Sequence, residues 1–238
     1  MKHKKLLLSL FIILSLIFNE AVIVSAMNTG FSTNEMSTEN QQIFLSNIKL
    51  SPIREEPKKG AITCFDVSNS GFIAVGFSDF GNKYLSVYNS AGEFQYGYVF
   101  HANQSFGVQW DGTNILVYFV RSDVAALFDP TGTNIELRVI GNTPENNSYW
   151  THSVFAKTRA LNNHSYTVRN DLGLFNLFAS SYSQLVKTDS TGDTTVLYDV
   201  TSSQLTKVLA ISIAVGLFVG LVIVVVVRQL AGVRRSGG

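Results

Sequence analysis

Hydrophobic residues are distributed along this chain in three different ways. Residues 1–26 and 208–227 are dominated by long apolar runs, whereas the middle of the chain carries short apolar runs between polar residues. From Gly60 onward, runs of Val, Ile, Phe and Tyr are separated by Gly, Asn and Asp, which is typical of consecutive antiparallel strands. Alternate residues from Ile135 to Val139, for example, are apolar and share one face. The middle therefore predicts a mainly β domain.

One short turn pattern recurs three times between these runs. Each copy begins with Asn or Asp and ends with glycine three residues later, at Asn89–Gly92, Asp129–Gly132 and Asp189–Gly192. The pattern is typical of a type I turn followed by a left-handed residue, which closes a β-hairpin. We expect positive φ at Gly92, Gly132 and Gly192, because glycine has no Cβ to clash in that conformation.

The turn glycines are 40 and then 60 residues apart, so the third unit contains an extra segment at about residues 142–161. Over about residues 61–200 the units resemble the blades of β-propeller repeat proteins of the NHL type. That resemblance implies four-stranded antiparallel sheets arranged as propeller-like blades.

The implied ring is incomplete, because a closed propeller has about four or more blades and only three units are readable. Three alternatives stay open: a degenerate unit begins near residues 43–50, the chain forms an open fragment or sandwich, or several chains close one ring. The expected fold class is mainly β, with antiparallel β-sheet repeats plus one C-terminal transmembrane α-helix.

The N-terminal apolar run has the organisation of a signal peptide. Lys2, Lys4 and Lys5 precede the apolar run from Leu6 to Phe18, and small residues at 24–26 suit a signal peptidase. We expect cleavage after Ala26, with an uncleaved membrane anchor as the alternative.

The C-terminal run predicts a transmembrane helix. Residues 208–227 contain no charge, and 20 residues rising 1.5 Å each cross the ~30 Å hydrocarbon layer. Arg228, Arg234 and Arg235 follow the run, whereas only Lys207 lies close before it, so the tail should be cytoplasmic. The chain is thus expected in the cell membrane as a single-pass type I protein with its bulk outside the cytoplasm.

Small residues recur at every fourth position within this run. Ser212, Gly216 and Gly220 therefore lie on one stripe of the helix, a surface that lets two membrane helices approach closely. A homodimer through this helix-helix interface is one hypothesis, and a monomeric anchor is the other.

These observations predict five segments along the chain. They are a signal peptide at 1–26, a polar linker at 27–60, an exported β-repeat domain at 61–206, a transmembrane helix at 208–227 and a short cytoplasmic tail at 228–238. In the linker we expect at most one strand, near residues 43–50.

Composition and motifs limit the chemistry of the exported domain. The net charge is +1, which is not the strongly basic balance of a nucleic-acid-binding protein. The single cysteine, Cys64, lies in the apolar run AITCFDV, where it is either buried in a strand or available to another chain. His101, His152 and His164 have no second histidine at metal-ligand spacing, so no metal or cofactor is predicted.

Two functional hypotheses remain. The first is a membrane-anchored, exported binding or scaffolding protein whose extracellular ligand is unknown. The second is a surface hydrolase whose site joins distant residues, such as His152 or His164 with Asp111 or Asp171.

Overall fold

The computed structural model describes residues 27–79, 81–178 and 181–236. The predicted signal peptide, residues 1–26, lies outside the described residues. The strands of the described residues form three antiparallel sheets, so the prediction of a mainly β fold with antiparallel sheets is confirmed.

Each sheet contains four strands that follow one another along the chain. Sheet I contains β2 (Ser51–Ile53), β3 (Ile62–Val67), β4 (Ile73–Asp79), β5 (Asn82–Tyr88) and β6 (Phe94–His101), in the order β2-β6-β5-β4-β3. Sheet II contains β1 (Thr33–Glu35), β7 (Phe106–Asp111), β8 (Asn114–Phe119), β9 (Val124–Phe128) and β10 (Asn134–Ile140), in the order β1-β10-β9-β8-β7. Sheet III contains β11 (Thr158–Leu161), β12 (His164–Arg169), β13 (Gln184–Thr188) and β14 (Thr194–Asp199), in sequence order. These described sheets close into neither a barrel nor a propeller ring.

The helical elements lie between and after the sheets. They are α1 (Thr38–Ile48), α2 (Pro144–Tyr149), a π-helical turn (Trp150–Val154), a 3₁₀ helix (Gly173–Phe178) and α3 (Thr201–Ser236). The extra segment predicted at about 142–161 thus holds α2, the π-helical turn and the strand β11.

Sheet I lies between the other two sheets and is buried on both faces. One face of β4 places Ala74 in a hydrophobic cluster shared with sheet II, and the other places Ile73 and Val75 in a cluster shared with sheet III. Because both faces of β4 are buried, its sequence is a continuous apolar run and does not alternate between apolar and polar residues.

The outer faces of the stack are covered or polar. On sheet II, Leu116 and Leu127 pack with Phe31 and with Val154 of the π-helical turn. The outer face of sheet III instead carries hydroxyl side chains, from Thr158, Ser165, Thr167, Thr188 and Thr194. Three sheets therefore bury most of their apolar surface without a fourth.

The three predicted turns have one shared geometry. Gly92, Gly132 and Gly192 have φ of 83°, 88° and 92°, and each donates its N–H to the carbonyl three residues earlier. The side chain of the first residue, Asn89, Asp129 or Asp189, accepts from the backbone N–H groups two and four residues later. The side-chain hydrogen bonds thus favour Asn or Asp at the first position of the turn. The positive φ favours glycine at the last position.

The prediction of a linker with at most one strand at residues 27–60 is wrong. The segment near residues 43–50 belongs to α1, which begins after the N-cap Ser37 and ends at Lys49 in the left-handed conformation. The strands β1 and β2 pair with β10 and β6, so this segment extends sheets II and I. The core shared by those sheets is covered by Phe44, Leu45 and Ile48. Their spacing is that of one helix face, but a short apolar run does not by itself distinguish a helix from a strand.

One buried ion pair joins all three sheets. Arg159 on β11 places Nε 2.6 Å from Oδ1 of Asp66 on β3, with side chains only 15% and 13% exposed. Oδ2 of Asp66 accepts from the N–H of Trp110 on β7 at 2.8 Å. The guanidinium also donates to the carbonyls of Ser153 and Val154 in the π-helical turn. Burial raises the pKa of the Asp66 carboxyl, and the adjacent Arg159 opposes that rise.

Replacing Arg159 should destabilise the fold strongly. Arg159→Met leaves the Asp66 carboxylate buried without its counter-ion, which should lower the unfolding free energy by about 3–5 kcal/mol. The measurement is urea denaturation of the full chain in detergent micelles. Adding Asp66→Asn should recover part of the loss because no buried charge remains.

Arg169→Met is the matched control, since Arg169 is exposed and hydrogen-bonds to Gln184. Its cost should be about 1 kcal/mol or less. Equal losses from the two arginine variants would contradict a special role for the buried pair.

The turns provide a pH prediction with an internal control. Hydrogen bonds from the Thr131 and Thr191 hydroxyls, and then from backbone N–H groups, lower the pKa of Asp129 and Asp189 below the usual range. A carboxyl with a depressed pKa stabilises the fold above its unfolded pKa, and that stabilisation is lost as pH falls through the folded pKa. The backbone amide signals of Thr131 and Thr191 should therefore shift between about pH 5 and pH 2 in NMR spectra. In a Glu93→Gln variant the amide of Ala91 should not shift, because neither Asn89 nor its hydrogen-bond partner at position 93 then carries a carboxyl group. A shift shared by all three amides would contradict a response caused by Asp129 and Asp189.

Candidate functional site

The C-terminal helix α3 is an apolar element that the rest of the protein leaves uncovered. Within the described residues it is the one helix long and apolar enough to cross a membrane, over Thr201–Val224, with a mean hydropathy of 2.6. None of the apolar window is buried. The helix is compatible with a membrane anchor.

The start of α3 is attached to the sheets. It begins two residues after β14 ends, and the N–H of Thr201 donates to Oδ1 of Asp199 at 2.7 Å. Gln204 is buried and donates from Nε2 to the carbonyl of Ser181 at 3.2 Å. These bonds fix the first turn of the helix against the domain.

The predicted stripe lies on the exposed part of α3. Ser212, Gly216 and Gly220 are exposed, and a Cβ placed at either glycine would meet no other atom within 4 Å. This surface is therefore open to a neighbouring helix.

A groove lies at one end of the stack of sheets. It has a volume of about 270 Å³ and lies between α1, the loop joining β6 to β7 and the turn joining β8 to β9. Its apolar floor consists of Phe44 and Ile48 of α1 and Phe119 of β8, and the two phenyl rings contact edge to face at 5.0 Å between centroids.

The rim of the groove is polar and exposed. It includes His101, Asn103 and Ser105 on one side and Arg121 and Ser122 on the other. Within the described part of the chain, Arg121 forms no ion pair. An apolar floor below a guanidinium suits a small amphipathic ligand with an anionic group.

Sequence reasoning missed this groove for an identifiable reason. Two of its three floor residues come from α1, which was predicted as part of a linker. The available signal was the i, i+4 spacing of Phe44 and Ile48 between a serine N-cap and Lys49.

No family model, curated protein or solved structure matches this chain.

The hydrolase candidates are not joined by hydrogen bonds. His152 pairs through Nδ1 with the carbonyl of Ser148 at 3.0 Å, and Oδ2 of Asp111 accepts from the N–H of Asn28. Over residues 27–79, 81–178 and 181–236, neither His152 nor His164 hydrogen-bonds or ion-pairs with Asp111 or Asp171. The same residues contain no metal-binding group of three or more His, Cys, Asp and Glu side chains.

Cys64 lies on β3 within the core shared by sheets I and II. Burial raises the pKa of its thiol to about 12, so the thiol stays protonated at neutral pH. A protonated, enclosed thiol is a poor nucleophile and a poor disulfide partner. Of the two predicted states of Cys64, the structure has the buried one.

Proposed function

We propose that this chain is a single-pass membrane-anchored binding or scaffolding protein whose β-sheet domain lies outside the cytoplasm. In this proposal the signal peptide at 1–26 is removed, residues 208–227 span the bilayer and residues 228–238 form a cytoplasmic tail. The observation that carries the proposal is the uncovered apolar surface of α3.

Lipid is the environment that suits this helix. Fifteen of residues 208–227 are Leu, Ile, Val or Phe, and at ~0.3–0.6 kcal/mol each they favour insertion by roughly 5–9 kcal/mol. Its backbone hydrogen bonds are made within the helix, as a hydrocarbon environment requires.

The attachment of α3 supports a domain held close to the bilayer. The helix leaves β14 almost directly, and the 3₁₀ helix Gly173–Phe178 contacts it. Leu174 in that 3₁₀ helix is 90% exposed, so an apolar side chain lies beside the proposed point of membrane entry.

The arrangement of the sheets supports a propeller-like relation among them. The edge strand β3 of sheet I contacts β7 and β11, which are edge strands of sheets II and III. Together with the three matching turns, this is consistent with three propeller-like blades in an incomplete ring. In this proposal the sheets form a rigid scaffold that positions the loops between strands. Many β-repeat proteins bind their partners through such loops.

The groove above Phe44, Ile48 and Phe119 is the proposed ligand site. Its apolar floor and the Arg121 guanidinium favour an amphipathic ligand with an anionic group. The volume of about 270 Å³ limits direct contact to a small molecule or one part of a larger partner.

Single introduced cysteines can test both orientation and binding. Because native Cys64 is buried, the unmodified chain should give little labelling with a membrane-impermeant maleimide. Ser105→Cys places a thiol on the groove rim, and Ser236→Cys places one in the tail. In intact cells the Ser105→Cys variant should be labelled, whereas the Ser236→Cys variant should be labelled only after permeabilisation.

The Ser105→Cys variant also reports whether the groove is occupied. Its labelling should be slower in native membranes than in purified protein when compared with Ala91→Cys, a control in an exposed turn away from the groove. Labelling of the Ser236→Cys variant in intact cells would overturn the topology. Equal relative rates for the Ser105→Cys variant in both preparations would argue against an occupied ligand groove.

A homodimer through Ser212, Gly216 and Gly220 is a separate proposal. The exposed small-residue stripe supports it, because small side chains let two membrane helices approach closely. The three sheets already bury one another, so the dimer is not needed to complete their core. Crosslinking in membranes should yield dimers that decrease in a Gly216→Leu, Gly220→Leu variant, with Leu217→Ile as the control. An unchanged dimer yield would remove the stripe from the proposal.

A further inference from the structure

The backbone nitrogen of Met27 contacts a carboxylate. Met27 N lies 2.6 Å from Oε2 of Glu136 on β10. The side chain of Met27 is half-buried against the hydrophobic cluster on the outer face of sheet II, and Glu136 is only 17% exposed. The predicted cleavage after Ala26 would make this nitrogen the α-amino group of the mature chain.

Glu136 belongs to a row of charged side chains with Arg138 and Glu35. Nε of Arg138 donates to Oε1 of Glu136, and Nη1 of Arg138 lies 3.8 Å from Oε1 of Glu35 on β1. These three groups carry two negative charges and one positive charge, and the Glu35 side chain is 90% exposed, so solvent screens its charge. These side chains line a cavity of about 220 Å³ whose other lining residues, including Met36 and Gln41, are neutral.

We propose that Glu136 is the binding site for the free α-ammonium group of Met27, produced when a signal peptidase cuts the Ala26–Met27 bond. This inference rests on the proposed export of the chain. Hydrolysis consumes one water and breaks the amide bond, leaving a carboxylate on Ala26 and an amine on Met27. At neutral pH the new carboxyl group of Ala26 releases one proton and the amine of Met27 takes one up, so the hydrolysis is balanced.

An ammonium group satisfies this site better than a peptide N–H. A peptide nitrogen offers one neutral donor, whereas an ammonium offers three donors and the missing positive charge. With it, the row of α-ammonium, Glu136, Arg138 and Glu35 alternates in sign and has no net charge. Both oxygens of Glu136 then accept from a cationic group.

The contacts that follow Met27 indicate that cleavage precedes docking. The N–H of Asn28 donates to Oδ2 of Asp111 at 3.0 Å, and the hydroxyls of Thr29 and Tyr118 lie 2.8 Å apart. Phe31 is buried, with its ring 4.6 Å from that of Tyr149. A peptidase needs an accessible, extended strand at the bond it cuts, and these contacts would hold the segment against sheet II, so in this proposal cleavage comes before docking. When the segment that begins at Met27 docks, it completes the covering of the outer face of sheet II and places β1 at the edge of that sheet.

The test uses the full chain purified from membranes in detergent. N-terminal sequencing should identify Met27 as the first residue. Reductive methylation of its α-amine at pH 7 should then be slower in the wild type than in Glu136→Gln. The charge of Glu136 favours the protonated, unreactive amine, and an amine pKa higher by one lowers the methylation rate about tenfold.

Two further variants control this comparison. Asp111→Asn changes the carboxylate that binds the neighbouring peptide N–H of Asn28, so it should leave the methylation rate of Met27 near the wild-type value. Glu136→Asp keeps the charge on a shorter side chain and should give an intermediate rate, which provides a measurement if Glu136→Gln does not fold.

The outcomes separate this proposal from the proposed function. A mature chain that begins at another residue, or an uncut chain, overturns the ammonium site while the cysteine labelling still reports on the anchor. A rate unaffected by either Glu136 variant also overturns it. An equal acceleration by Asp111→Asn would indicate loosening of the whole segment and would count against binding at Glu136.

Discussion

The buried ion pair between Asp66 and Arg159 is the interaction on which the arrangement of the three sheets depends. Asp66 belongs to sheet I, its second oxygen binds the Trp110 N–H of sheet II, and Arg159 belongs to sheet III. The guanidinium also holds the carbonyls of the π-helical turn that covers sheet II. Apolar contacts between sheets are non-directional, so a hydrogen-bonded pair at their junction selects one relative placement.

This placement determines where the functional surfaces lie. Sheet I is covered on both faces, the Phe31 segment and the π-helical turn cover the outer face of sheet II, and the hydroxyl-rich outer face of sheet III needs no apolar cover. Among the described residues, the uncovered helix α3 and the groove above Phe119 are the candidate surfaces for partners. A rigid stack with one apolar helix and one mixed groove is suited to binding at a membrane surface.

The segment before the first repeat has more than one structural role. It contributes an edge strand to sheet II, an edge strand to sheet I and the helix that supplies two of the three floor residues of the groove. At its beginning, Met27 meets the carboxylate of Glu136. If processing releases that end, export and the final packing of sheet II are coupled, because the charge that completes the Glu136 cluster arises only at cleavage.

The sequence by itself determined the local features whose causes are local. The apolar run at 208–227 predicted a helix suited to lipid, the alternating runs predicted antiparallel strands, and the three Asx-to-Gly turns predicted the left-handed glycines that the structure contains. It misassigned α1, because a short apolar run reads equally well as a helix or a strand until its caps and its packing are known. Only the tertiary structure decided which charges meet, since Asp66 and Arg159, like Met27 and Glu136, are about a hundred residues apart. Such pairs form only when the sheets stack, so the spacing of residues along the chain does not indicate which charged side chains will meet.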